Sequence, residues 1–152
     1  GYYDTSDAGI INKNGYISVM SRTDDIINCA GHRLSTGSIE EILTQYKDVA
    51  ECAVVGFNDE LKGQVPIGLI VLSTSSMNSK ETIINETINL VREKLGPVAS
   101  YKKSIIVENL PKTRSGKILR STISKILNKE DYKVPATIED INTLELIKSI
   151  KV

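Results

Sequence analysis

Apolar positions along this chain fall into blocks whose period changes from one block to the next. Val49–Phe57 and Val65–Ser73 are almost unbroken apolar runs rich in β-branched residues, separated by the polar stretch Asn58–Gly63. Runs of this kind read as buried strands. In Thr82–Leu95 the apolar residues Ile84, Ile88, Val91 and Leu95 recur at helical spacing, and Gly96-Pro97 closes that helix. Ser104–Val107 reads as a third main strand and Ile118–Leu127, with Leu119, Ile123 and Ile126, as a second amphipathic helix. Upstream, a short strand pair around Ile26–Asn28 and Arg33–Leu34 leads into a helix near Ser38–Tyr46. Ser35 or Thr36 is its expected cap, with Glu40 and Glu41 in its first turn. Residues 2–11 and 16–20 read as a β-hairpin turning at Asn12–Gly15. After Asn128 the chain becomes polar, Pro135 interrupts it, and Ile141–Ile150 suits a short helix packing back. The expected fold class is α+β: a roughly three-stranded sheet covered by helices, preceded by a hairpin that alone would be barely stable.

Length and composition narrow the class. The 152 residues suit one compact domain, or one domain with a borrowed piece of another. No apolar run approaches the ~20 residues of a membrane span, and no signal or transit peptide is visible. The chain opens inside a motif, however, so that absence carries no weight. Charge balances overall but not locally. Residues 1–60 hold ten acids against four bases, and residues 61–128 hold eleven bases against four acids. A basic half favours a phosphate-bearing partner, nucleic acid or nucleotide. Tyr101 is the one aromatic residue between 61 and 128, which argues against single-strand stacking. Cys29 and Cys52 lie in or beside apolar runs and read as buried free thiols in a reducing compartment, while one histidine and two distant cysteines have no metal-site spacing.

Candidate chemistry concentrates in Leu110–Lys117, Leu-Pro-Lys-Thr-Arg-Ser-Gly-Lys, where Lys112, Arg114 and Lys117 crowd a short segment between a strand-like and a helix-like run. A flexible cationic loop on an ordered base can carry a compact ammonium into a neighbouring site, although a solvated basic loop has the same composition. Two further segments join it. One is Gly1-Tyr-Tyr-Asp-Thr-Ser-Asp-Ala-Gly9; the other runs from Ser21 to Glu41 through Arg22-Thr-Asp-Asp25 and Ala30-Gly-His-Arg33. In this order and spacing, the three segments resemble the C-terminal signature motifs of the adenylate-forming enzymes, and within them the short-chain acyl-CoA synthetases. The resemblance covers essentially the whole chain.

That resemblance implies two half-reactions: carboxylate attack on the α-phosphorus of ATP, then displacement of AMP by the coenzyme A thiol. Lys117 matches the family's catalytic lysine. Asp7 and Arg22 match residues holding the ATP ribose, and Arg33 matches a contact to the ATP phosphates. Ala30 and Gly31 match positions beside the pantetheine tunnel, Arg92 matches a contact to a coenzyme A phosphate, and Asp24 matches the hinge. The same residues have plainer readings: turn chemistry for Asp7 and Gly31, surface charge for Arg33 and Arg92. His32 receives no role. The implied organisation is 1–23 as the end of a large AMP-binding domain, 24–128 as a C-terminal lid and 129–152 as a tail with a short helix. The implied substrates are ATP, with Mg2+ expected at the larger domain, coenzyme A and a small carboxylate, in the cytoplasm or the mitochondrial matrix. The implied partner is the chain's own N-terminal domain, with no nucleic acid and no membrane span. No phosphate-binding glycine loop and no acyl pocket is present, so the chain alone is expected to be inactive. Ala30-Gly-His-Arg33 favours a short-chain ligase, and Val19-Met-Ser-Arg22 with Thr137-Ile-Glu-Asp140 leans toward propionyl- over acetyl-CoA synthetase. The alternatives are the equivalent subdomain of a peptide-synthetase adenylation domain, a longer-chain or aryl ligase, or a non-enzymatic basic binding module.

Overall fold

A computed structural model describes residues 2 and 7–152, apart from the side chains of Met20, Ser21 and Asp24. The first expected strand therefore lies partly outside the described residues, as does most of the Gly1–Gly9 segment. From Asp7 onward the hairpin is present: β1 (Asp7–Ile11) pairs antiparallel with β2 (Ile17–Arg22). Its turn is organised by Asn12, whose Oδ1 accepts from the amides of Asn14 and Tyr16 at 2.9 and 3.0 Å, while Gly15 takes a φ of +81°. The hairpin carries Ile10, Ile11, Tyr16, Ile17 and Val19 in the open, each more than half exposed. Apolar area of that kind normally sits against something.

A 3-10 turn, Thr23–Asp25, separates this ribbon from the body. There β3 (Ile26–Cys29) and β4 (His32–Ser35) form a tight hairpin, followed by α1 (Thr36–Leu43). The long strands β5 (Val49–Asp59) and β6 (Gly63–Leu72) pair antiparallel. The helix α2 (Lys80–Leu95) then crosses over to β7 (Lys103–Ile106), which runs parallel to β6. The opposite edge of β6 from β5 takes β3 at Gly63 and β7 from Ile67 to Ile70. The sheet thus has five strands, the three main ones expected and the β3–β4 pair joined to them. The last elements are α3 (Arg120–Leu127) and α4 (Asn142–Lys148).

The unbroken apolar runs are explained by helices on both faces. Successive residues of β5 point to opposite sides. Cys52 and Val54 join Ile39, Leu43, Ile70, Val91 and Tyr101 under α1 and α2. Ala53 and Val55 join Leu69, Leu110, Ile123, Leu144 and Ile147 under α3 and α4. Burying each such aliphatic side chain is worth about 1.5–3 kcal/mol. Leu144 and Ile147 come from the stretch 129–152, so that tail completes the second core rather than trailing from it.

Two local expectations are revised. Ser35 stands at the N-cap of α1 but makes no side-chain cap bond, and no acid occupies the first turn, because the helix begins at Thr36 and leaves Glu40 and Glu41 beyond it. In α2, Ser79 caps instead, accepting from the Thr82 amide at 3.1 Å, so that helix starts two residues earlier than its apolar period indicated.

Candidate functional site

The cationic segment is a compact turn rather than a loose loop. Lys112 and Ile118 form an antiparallel bridge, and the Leu119 amide donates to the Pro111 carbonyl at 2.9 Å. Within it, Thr113 N–H donates to Lys117 O and Gly116 N–H to Thr113 O, each at 2.8 Å, and the Lys117 amide donates to Thr113 Oγ1 at 3.1 Å. Gly116 sits at φ +84°, a conformation strained for any residue with a Cβ. The stretch 137–139 borders the turn: Arg114 N–H donates to Thr137 O and Glu139 N–H to Lys112 O, both at 2.9 Å. The base of the segment is thus a hydrogen-bonded platform, and its long exposed side chains supply reach.

The three cations are not equivalent. Lys112 is held by Glu51 at 2.6 Å and braces the turn against β5. Arg114 and Lys117 are exposed at the tip. Behind the turn, Arg120 donates through Nε and Nη2 to the two carboxylate oxygens of Glu40, 2.7 Å each, and Glu40 Oε1 also accepts the Val54 amide at 2.8 Å. The hydrogen bond to Glu40 raises the Arg120 pKa, against the pull of burial, so its charge is permanent. Arg120 and Glu40 were not among the expected site residues. Arg120 lies three residues beyond Lys117, but its partner eighty positions upstream has no local signature.

On the hairpin, Asp7 and Arg22 are register partners, directly opposite one another across β1 and β2. Opposed residues in an antiparallel pair project to the same face. The carboxylate and the guanidinium expected at a common ligand thus occupy one position of the ribbon. Asp24 belongs by its backbone to the 3-10 turn between ribbon and body, and its side chain lies outside the described residues.

Arg33 is exposed on β4, opposite Asn28. Ala30 and Gly31 form the two-residue turn between β3 and β4, at φ +49° and +83°, as the primed hairpin turns require. The Ala30 amide donates to Lys62 O at 2.8 Å, and Lys62 Nζ donates to Ser100 Oγ at 2.8 Å. Ser100 lines a groove of about 470 Å³ together with Arg92, Gly96, Tyr101 and Lys102. Arg92 is in the last turn of α2, where a cation also meets the helix carbonyl ends favourably. A hydrogen-bonded link therefore connects the β3–β4 turn to the groove that carries Arg92. His32 is exposed at the start of β4.

The cysteines are unpaired and buried. Burial, followed by the Glu40 charge, pushes the Cys52 thiol up to about 12, which leaves no thiolate at neutral pH. Among the described residues no group of His, Cys, Asp and Glu could hold a metal ion. Nor is any helix among them long and apolar enough to cross a membrane.

Residues 38–117, more than half of the chain, match the profile of the AMP-binding enzyme C-terminal domain. The chain belongs to that family. This AMP-binding enzyme C-terminal domain is 55% identical over 147 residues to acyl-CoA synthetase short-chain family member B, mitochondrial, of Dictyostelium discoideum, covering 97% of this chain and 21% of the relative. It is 51% identical over 140 residues to the human acyl-CoA synthetase short-chain family member 3, mitochondrial, covering 92% of this chain and 20% of that protein. With acetyl-coenzyme A synthetase 1 of Saccharomyces cerevisiae the identity is 42% over 164 residues, covering 99% and 22%. The chain thus spans about a fifth of the length of the curated relatives it matches. Among solved structures, an acyl-CoA synthetase of Brucella canis superposes with a TM-score of 0.65 at 30% identity, over 82% of this chain and 23% of that one. An ATP-bound RpMatB-BxBclM chimera superposes at 0.68 with 25% identity, over 82% and 24%.

Proposed function

We propose that this chain is the C-terminal catalytic lid of an AMP-forming acyl-CoA ligase that activates a short-chain carboxylate, propionate or acetate, with ATP and passes the acyl group to coenzyme A. The observation that carries the reading is Lys117: an exposed ammonium at the tip of a hydrogen-bonded turn, on a platform tied to the sheet. In the first half-reaction a carboxylate oxygen attacks the α-phosphorus and pyrophosphate leaves. In the second the coenzyme A sulfur attacks the acyl carbon and AMP leaves. Negative charge crowds the α-phosphate in the first step, and a preplaced cation there is worth about 3–4 kcal/mol of barrier.

In this reading Asp7 accepts the ribose hydroxyls and Arg22, opposite it, supports the same edge. Arg33 offers its planar fork to phosphate oxygens. The turn at Ala30 and Gly31 flanks the pantetheine arm, and Arg92 meets a coenzyme A phosphate at the rim of its groove. Rotation about Asp24 exchanges these two sets of contacts. The open apolar face of the β1–β2 hairpin fits a ribbon that completes a larger AMP-binding domain upstream, ending near residue 23. That domain would hold the acyl pocket and Mg2+, and the chain alone is expected not to turn over. Of the two settings, cytoplasm and mitochondrial matrix, relatives named mitochondrial favour the second, and their names favour a short-chain substrate over the peptide-synthetase and aryl-ligase alternatives.

The test joins the chain to its upstream domain and compares Lys117→Ala with wild type in each half-reaction. Adenylation, followed by pyrophosphate exchange, is expected to fall by about 10²–10³. Thioester formation from supplied acyl-adenylate is expected to stay near wild type. Equal losses in both would sink the assignment.

A further inference from the structure

Among the described residues no strand pairs with the outer edge of β5, and α3 covers it. Val54 N–H meets Glu40 Oε1, Gly56 O accepts from Ser124 Oγ at 2.8 Å and Asn128 Nδ2 at 3.1 Å, and Asn58 N–H donates to Asn128 Oδ1 at 2.8 Å. Arg120, Ser124 and Asn128 lie at i, i+4 and i+8, one face of α3. Three stitches therefore satisfy an edge that would otherwise present open backbone groups. Ser124 and Asn128 reach the strand directly, whereas Arg120 reaches it through Glu40.

Arg120 has two further relationships, one with the Lys117 turn and one, through its charge, with the junction of ribbon and body. It opens α3 just after the Leu119-to-Pro111 bond that closes the base of the Lys117 turn. It also faces the segment that joins ribbon to body. The 3-10 turn Thr23–Asp25 packs on α3, and Ile26 and Arg120 line one small cavity of about 50 Å³ with Gln64 and Ser124. The negative charge of Asp25 acts on the guanidinium from that side.

We propose that Arg120 is a positioning residue for Lys117, holding the base of the cationic turn in register with β5 and with the turn at Thr23–Asp25. The proposal rests on the functional reading of Lys117 above. Its geometric basis is the fork itself: two parallel bonds at 2.7 Å set both distance and orientation, which a single ammonium cannot do. Displacing a reacting group by about 1 Å can cost a hundredfold in rate.

The experiment uses the full-length enzyme carrying Arg120→Lys, with Ser124→Ala as a stitch of the same helix and Lys117→Ala as the reference. Arg120→Lys is expected to lower the adenylation kcat by about 10- to 100-fold. KM for ATP and thioester formation from supplied acyl-adenylate should both stay within about threefold of wild type. Ser124→Ala should lower Tm without that split. Wild-type adenylation in Arg120→Lys, or a parallel fall of both half-reactions, overturns the positioning role. If Lys117→Ala itself adenylates normally, the functional reading fails, and the positioning is read separately from hydrogen exchange. There Arg120→Lys should speed exchange of the Lys117 and Leu119 amides about tenfold and Ser124→Ala should not. Unchanged protection of both amides in Arg120→Lys overturns it on that ground too.

Discussion

Glu40 and Arg120, eighty residues apart, are joined by two hydrogen bonds of 2.7 Å, and Glu40 spends its remaining reach on the Val54 amide. One carboxylate thus ties α1, β5 and α3 together. Glu40→Ala leaves a half-buried guanidinium and a backbone amide without their acceptor, and is expected to destabilise by about 3–5 kcal/mol. Glu40→Gln keeps an acceptor for Val54 and should cost visibly less. Urea denaturation of both variants checks the order, and a larger loss for the glutamine variant would refute the account.

This pair also marks where the chain was and was not legible. The long strands could be read because helices on both sheet faces leave no polar alternation in residues such as Cys52, Ala53, Val54 and Val55. The α2 helix could be read because Ile84, Ile88, Val91 and Leu95 keep its period, yet its true start needed the Ser79 cap. Glu40 misled, because an acid near a helix start suggests dipole chemistry when here it serves a partner from a distant element. The candidate site divides similarly. The residues of the cationic turn are contiguous and could be seen. That Lys112 is a brace against Glu51 while Lys117 stands free in solvent depends on which strand lies beneath, and no local pattern encodes that.

Gly68 faces the ring of Tyr101 so closely that an added Cβ would stand 2.0 Å from its hydroxyl and 3.3 Å from Leu43 Cδ1. The hydroxyl cannot retreat cheaply, because it is buried and bonded to Ser104 Oγ at 2.8 Å, which in turn meets Thr87 Oγ1 at 3.0 Å. Gly68→Ala is expected to cost about 1–3 kcal/mol through overpacking. Adding Tyr101→Phe removes the nearest atom, so the double variant should lose less than the sum of the two single losses. Strict additivity in a thermal-unfolding cycle would count against the clash.

Gly116 makes a contrasting case, since no atom of the described residues lies within 4 Å of an added Cβ and its φ of +84° is what resists substitution. Gly116→Ala should therefore cost about 1–2 kcal/mol, set by backbone conformation alone. Gly116→Asn should cost less, because asparagine tolerates that region better. If the alanine and asparagine variants unfold at the same denaturant concentration, backbone strain is not what the glycine relieves.

Alkaline pH probes the buried thiol. Burial pushes Cys52 from 9.0 to about 12, and the Tyr101 hydroxyl also moves upward by burial. Above pH 9 the unfolded chain releases protons that the folded chain still holds. Unfolding therefore becomes easier as pH rises, and the stability Cys52 contributes, complete below pH 9, drains away toward pH 12. For Cys52 the full contribution is on the order of 4 kcal/mol, at about 1.4 kcal/mol per pH unit. Cys52→Val, similar in size and unable to ionise, should flatten the decline between pH 9 and 11 while leaving the neutral-pH plateau nearly unchanged. Denaturant midpoints measured across that window decide it: parallel pH profiles for the two proteins would mean that Cys52 ionises as readily folded as unfolded.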